Sequence, residues 1–113
     1  MSEDKIERGN LFTKIPGDLP DEFVKTLAEG SGNLKIERIV SRGHSSPPDF
    51  WFDQDTIEWV VLLKGRARLE VEHESETFSL EPGDWMKIPS GCRHRVEETN
   101  PAGDCVWLAV HWK

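Results

Sequence analysis

The sequence predicts an all-β domain, built as a sandwich or a barrel, with one short helix near its start. From Asn33 onward, apolar and polar residues alternate with a period of two in a series of short segments. Runs rich in Gly, Pro, Asn, Asp and Ser separate these segments, as at residues 82–84 and 100–104. No helical pattern lies between them, which excludes a mixed α/β order.

The segments predicted as strands share this alternation and are residues 34–40, 57–63, 67–73, 77–80, 85–89, 93–98 and 106–112. Residues 1–32 are predicted to form an N-terminal arm, with a short edge strand at 10–15, and residues 33–113 the barrel, in one domain overall. The short helix is expected over residues 22–30, where Phe23, Val24 and Leu27 share a helical face. Pro20 suits its first turn and Gly30 its C-terminal cap.

Composition excludes several classes of function. The net charge is −7, from 21 acidic and 14 basic residues, so the chain has no basic surface for nucleic acid or for an anionic membrane. The longest apolar run, residues 59–63, is too short to cross a bilayer. The charged start of the chain has no apolar signal segment, which predicts a cytoplasmic protein. Cys92 and Cys105 are then expected to be free thiols.

Residues 83–94 carry a motif of the pattern G-x5-P-x-G-x2-H, formed by Gly83, Pro89, Gly91 and His94. It resembles the second motif of the cupin superfamily, although Glu98 stands where that family usually has Asn. A shorter match comes earlier, where Glu58 and six residues precede a Gly that turns the chain, as at the end of the first cupin motif. The chain therefore resembles a small single-domain cupin over residues 34–112, which implies a double-stranded β-helix, the jelly-roll barrel.

The resemblance also implies a divalent transition metal (Mn, Fe, Ni or Zn) held by two His and one Glu of the first motif and one His of the second. Glu58 and His94 match that pattern, whereas the positions of the first-motif histidines hold Trp51 or Phe52 and Asp53 or Gln54. The expected metal set is therefore Glu58, His94, Gln54, Asp53 and His44, with His44 coming from a neighbouring loop. In the alternative interpretation, Glu58 and His94 contact each other or an organic ligand, without a metal.

A substrate pocket is expected beside these residues. If the chain is extended here, Gln54, Glu58, Val60 and Leu62 share one strand face. The predicted pocket residues are Trp51, Phe52, Val60, Leu62 and His111, which combine an apolar wall with one imidazole.

Three functions remain open from the sequence. The first is a metal-dependent oxygenase, isomerase or decarboxylase in which Glu58 and His94 are catalytic and act on a small organic molecule. The second is a metal-free binding or sensory barrel, and the third a metal-free isomerase or epimerase. The third would need basic residues for a nucleotide's phosphates, and the acidic balance argues against them. Exposed Trp residues would fit a homodimer.

Overall fold

The computed structural model describes residues 5–100 and 102–113, and its regular elements are eight strands. In chain order β1 to β8, these are Phe23–Gly30, Leu34–Ser41, Ile57–Lys64, Ala67–Val71, Thr77–Leu80, Trp85–Ile88, His94–Thr99 and Cys105–Trp112. The seven strands predicted from period-two alternation are confirmed as β2 to β8. No segment in the described part of the chain is a helix long and apolar enough to span a membrane.

The strands form two antiparallel sheets that face each other. One sheet has five strands in the order β1-β2-β8-β3-β6, and the other has three in the order β5-β4-β7. Inward side chains of β3 and β8, such as Leu62 and Trp107, pack with Leu69 of β4 in the shared core. Leu62 is fully buried, and Leu69 and Trp107 are each 3% exposed. The all-β class and the jelly-roll arrangement are therefore confirmed.

The predicted N-terminal helix is wrong, because residues 23–30 form strand β1. β1 pairs antiparallel with β2 from Phe23 to Gly30, with one irregularity between Thr26 and Ala28. This ladder gives its backbone groups partners in the sheet, which outweighs a weak helical pattern. Two of the three residues of the predicted helix face stay partly open to solvent, since Val24 is 50% and Leu27 38% exposed.

Residues 11–13 of the N-terminal arm lie against the five-stranded sheet, and the predicted edge strand at residues 10–15 does not form. Asn10 closes a turn instead, accepting a hydrogen bond from the backbone N–H of Phe12 at 2.8 Å. Two backbone carbonyls of the arm, those of Leu11 and Thr13, accept hydrogen bonds from the guanidinium of Arg38 at 3.3 and 2.7 Å. Arg38 is 3% exposed, so the arm is attached through a buried side chain of β2.

The homodimer stays a prediction. Trp85 lies on the edge strand β6, is 59% exposed, and has its ring centroid 5.8 Å from that of Trp59.

Candidate functional site

A cavity of about 260 Å³ lies between the two sheets. Its ionisable and amide side chains are Glu22, Glu37, Gln54, Glu58, His94 and His111. Its apolar wall includes Ile39, Phe52, Val60, Leu69, Ile88 and Trp107. A mostly apolar hollow with a few convergent polar groups is the usual form of a small-molecule site.

The centre of the polar wall is a contact between Glu58 and His94. Glu58 is near the start of β3 in the five-stranded sheet, and His94 is the first residue of β7 in the three-stranded sheet. Glu58 Oε1 and His94 Nε2 are 3.1 Å apart, and the two side chains are only 11% and 7% exposed. The pair therefore bridges the two sheets inside the barrel.

Neighbouring groups fix the orientation of both side chains. His94 Nδ1 lies 3.1 Å from the backbone carbonyl of Cys92, and because a carbonyl only accepts, Nδ1 carries a proton. Nε2 is then the nitrogen that faces the carboxylate. On the other side, the side-chain amide of Gln54 donates to Glu58 Oε1 at 2.8 Å. Backbone hydrogen bonds between Phe52 and His94, at 2.7 and 3.1 Å, hold the preceding segment against β7.

The electrostatics of the pair favour an ion pair. Burial by itself raises the pKa of Glu58, but the hydrogen bond and charge of His94, with the charge of His111 and the amide of Gln54, bring the pKa below its ordinary 4.5. Burial by itself lowers the pKa of His94, but Glu58 and the Cys92 carbonyl raise it above its ordinary 6.5. Each partner thus holds the other in its charged form.

A second imidazole–carboxylate contact lines the same cavity. His111 Nε2 of β8 lies 3.1 Å from Glu37 Oε1 of β2, and both side chains are 12% exposed. Lys35 approaches Glu37 from the more exposed side at 3.3 Å. The described cavity wall thus contains two His–Glu pairs.

Of the predicted site residues, Glu58, His94, Gln54, Phe52, Val60 and His111 all line the cavity. Phe52 is 36% exposed, and its ring stacks on that of His94 at a centroid distance of 5.6 Å. Leu62 shares the inward face of β3, but it is fully buried in the core beyond the cavity wall.

The structure places three predicted residues away from the cavity. Asp53 is exposed. The ring nitrogens of His44 contact the backbone N–H of Arg42 at 2.9 Å and the carbonyl of Leu19 at 3.1 Å, so its imidazole is part of loop packing. Trp51 does not line the cavity, and the guanidinium carbons of two arginines each lie 5.9 Å from the centroid of its ring.

Sequence reasoning missed Glu22, Glu37 and Trp107. Glu22 precedes β1 and accepts a hydrogen bond from Ser41 Oγ at 2.6 Å. Glu37 shares its strand face with Ile39, so period-two alternation along β2 was the available signal. Apolar residues on both faces of β2, Ile36 as well as Ile39, obscured that signal.

The donor groups do not fit a resident transition-metal ion. Catalytic sites of this kind use three protein ligands, and no cluster of three or more His, Cys, Asp or Glu suited to a metal occurs within residues 5–100 and 102–113. Glu58 and His94 supply two donor atoms, whereas Nε2 of His111 faces Glu37 at 3.1 Å. Gln54 presents its amide nitrogen to Glu58, and reversing the amide would place two oxygens against each other.

Comparison with solved structures places this arrangement among known folds. A crystal structure from Ralstonia eutropha JMP134, provisionally described as a mannose-6-phosphate isomerase, is 45% identical, with a TM-score of 0.92 and coverage of 96% of this chain and 99% of that one. A cupin superfamily protein from Desulfitobacterium hafniense DCB-2 is 16% identical, with a TM-score of 0.73 and coverage of 96% and 93%. The second similarity concerns the fold alone.

Among curated proteins, the sucrose-binding protein of Glycine max is 36% identical over 67 residues. That match takes in 58% of this chain and 12% of the soybean protein, so the chain spans a small part of that relative. The family model described as Cupin domain matches residues 37–111, which include both His–Glu pairs. The chain belongs to the cupin family.

Proposed function

We propose that this cupin binds a small, uncharged organic molecule in the cavity between its sheets, with the Glu58–His94 pair as its polar anchor and without a metal ion. The observation that carries the proposal is a buried acid–base pair, 3.1 Å apart, in the wall of a mainly apolar cavity. At about 260 Å³ the cavity is near the lower end of the usual range for ligand pockets, which indicates a ligand of monosaccharide size or smaller.

The charges of the cavity favour a ligand without a phosphate group. Phosphates in proteins are bound by Arg, Lys or clustered backbone N–H groups. The described lining contains no Lys or Arg, whereas Glu22, Glu37 and Glu58 contribute three carboxylates. A phosphorylated sugar of the kind in the Ralstonia protein's provisional name would meet like charge in this cavity.

Proton transfer is a second candidate function, favoured by the fixed orientation of His94. Since Nδ1 is held by the Cys92 carbonyl, the Nε2 proton is the one that can pass to a ligand oxygen. In an isomerisation, Glu58 would take a proton from the carbon beside a carbonyl while His94 gives its proton to the carbonyl oxygen. When that carbon bears a hydroxyl, its C–H bond breaks and the C=C bond of an enediol forms. His94 then takes the proton of this second hydroxyl while Glu58 gives its proton to the former carbonyl carbon, which leaves the isomer with its carbonyl at the neighbouring position.

The names of two relatives refer to saccharides, so saccharides are the first ligands to test. We would titrate the protein with D-mannose, D-fructose and their 6-phosphates by calorimetry and thermal shift, and follow mannose–fructose interconversion by NMR. We expect an unphosphorylated sugar to bind at least about tenfold more tightly than its phosphate, and Glu58→Gln to weaken it at least about tenfold. The control Glu98→Gln changes a 61% exposed carboxylate outside the cavity and should leave binding unchanged.

Three results would contradict the proposal. One is preferential binding of the phosphates, and another is equal binding by Glu58→Gln and the native protein. The third is a stoichiometric transition metal in protein purified without chelator, lost together with binding in Glu58→Gln. Interconversion of the sugars would establish catalysis, whereas binding without turnover would establish a binding protein.

A further inference from the structure

The second His–Glu pair, Glu37 with His111, has no role in the function proposed above. Both side chains line the cavity, and each is 12% exposed. Replacing both partners of a buried hydrogen-bonded pair by apolar side chains often leaves stability nearly unchanged or raises it, so folding alone is a weak reason for polar groups here. Apolar residues flank the pair, with Ala109 on β8 and Ile39 on β2 at the next inward positions.

The strand register brings the two pairs together. Glu58 of β3 lies directly opposite His111 of β8, and the charge of His111 helps to lower the pKa of Glu58. Neighbouring strands are about 4.8 Å apart, so the two pairs present polar groups at adjacent positions of one wall. Imidazole and carboxylate alternate across four strands, from His94 through Glu58 and His111 to Glu37.

A third polar group at the cavity is independent of both pairs. Trp107, 3% exposed, lines the cavity, and its buried indole N–H has no hydrogen-bond partner among the described residues. An unpaired buried donor is unfavourable in a folded protein. A ligand oxygen within reach of the indole would supply the missing acceptor.

From these three observations we infer that His111, oriented by Glu37, is a second ligand-binding group, and that the ligand carries oxygen functions on neighbouring carbons, as in a vicinal diol or an α-hydroxy carbonyl. One oxygen contacts the Glu58–His94 pair and the next contacts His111. The inference rests on the proposed function, because it assumes that the cavity is the binding site. It adds the substrate class, since a molecule with a single oxygen would engage only one pair.

A pair of matched sugars tests the inference. D-Mannose carries the predicted oxygen pair on carbons 1 and 2, the carbons of its α-hydroxy carbonyl form. 2-Deoxy-D-glucose is the same sugar without the hydroxyl on carbon 2 and keeps neighbouring hydroxyls only on carbons 3 and 4. We expect the native protein to bind mannose at least about tenfold more tightly than the deoxy sugar, as the loss of one hydrogen bond to a buried group predicts. His111→Leu should reduce this ratio to about twofold or less, and His111→Gln, which keeps a donor, should restore part of it. The control His73→Gln changes an 88% exposed imidazole and should keep the full ratio.

The outcomes separate the two proposals. If neither sugar binds the native protein, the proposal that the cavity binds a saccharide is refuted, and the inference is refuted with it. If mannose binds and Glu58→Gln abolishes binding, but His111→Leu keeps the native ratio, only the inference is overturned. Urea unfolding of each variant shows whether it is folded, and His111→Gln provides the test if His111→Leu is not.

Discussion

Removing His94 while keeping Glu58 tests whether the two residues act as one unit. The Glu58 side chain is 11% exposed in the native protein, and in His94→Leu it would keep only the amide of Gln54 as a described hydrogen-bond donor. Loss of one partner of a buried pair typically costs about 3–5 kcal/mol. Because both side chains keep slight exposure, we expect the lower end, about 3 kcal/mol of the free energy of unfolding.

The double variant Glu58→Met/His94→Leu should be much less destabilised than the sum of its single variants. It removes both charges and fills the space with apolar side chains, which is often close to neutral in stability. Glu58→Met alone leaves an imidazole that can lose its proton, so its cost should be smaller, about 1–2 kcal/mol. With a double variant that costs about 0–1 kcal/mol, these values correspond to a coupling energy of about 3–5 kcal/mol.

The coupling should depend on pH in a definite direction. Since the folded pKa of Glu58 lies below its ordinary 4.5, its contribution is present above 4.5 and is lost as the pH falls through the folded pKa. Since the folded pKa of His94 lies above its ordinary 6.5, its contribution is complete below 6.5 and is lost as the pH rises through the folded pKa. The coupling energy should therefore be largest between the two ordinary pKa values, 4.5 and 6.5, and smaller at about pH 9.

Urea unfolding followed by the fluorescence of the five Trp residues measures each free energy. A matched double-mutant cycle on the surface pair Arg93 and Glu72 serves as the control. Their side chains are 41% and 28% exposed and form an ion pair at 2.9 Å, so the coupling energy should be less than about 1 kcal/mol. A coupling below about 0.5 kcal/mol for Glu58 and His94 at about pH 5.5, or one that does not change at about pH 9, would refute the ion pair.

Two further changes test the parts of the fold that position the site. Gly65 has a φ of +90°, and an added Cβ would lie 2.6 Å from Cys105 Sγ, so Gly65→Ala should lower the free energy of unfolding by at least about 2 kcal/mol. Gly17→Ala, with nothing within 4 Å of its Cβ, should change it by less than about 0.5 kcal/mol, and equal effects would contradict the model of a tight turn. Arg38→Met should release the N-terminal arm and speed tryptic cleavage after Lys14 by about tenfold, measured by mass spectrometry, and an unchanged rate would show that Arg38 does not hold the arm.

Most of the barrel could be predicted because its strands are short and end at turn residues. Gly83, Pro89 and Gly91 separate β5, β6 and β7 as expected. β1 was predicted wrongly because its local pattern also fits a helix, and only pairing with β2 distinguishes the two. Such pairing is set by tertiary structure, which a nine-residue window does not contain.

The two His–Glu pairs differ in how far the sequence could predict them. Glu58 and His94 stand at motif positions, so their meeting was a stated alternative, whereas Glu37 belongs to no motif. The face of His111 could not be assigned, because β8 is apolar on both faces, with Trp107 inward and Leu108 at the opposite parity. Register between strands decides this contact, and register became available only with the structure.

The charge state of the His94 ring tests the central claim most directly. Nitrogen-15 NMR of the four histidines across a pH titration reports which ring nitrogens carry protons. The ion pair predicts that His94 titrates above 6.5 in the native protein and that Glu58→Gln lowers this midpoint. Titration of native His94 at or below 6.5, or the same midpoint in Glu58→Gln, would contradict the account.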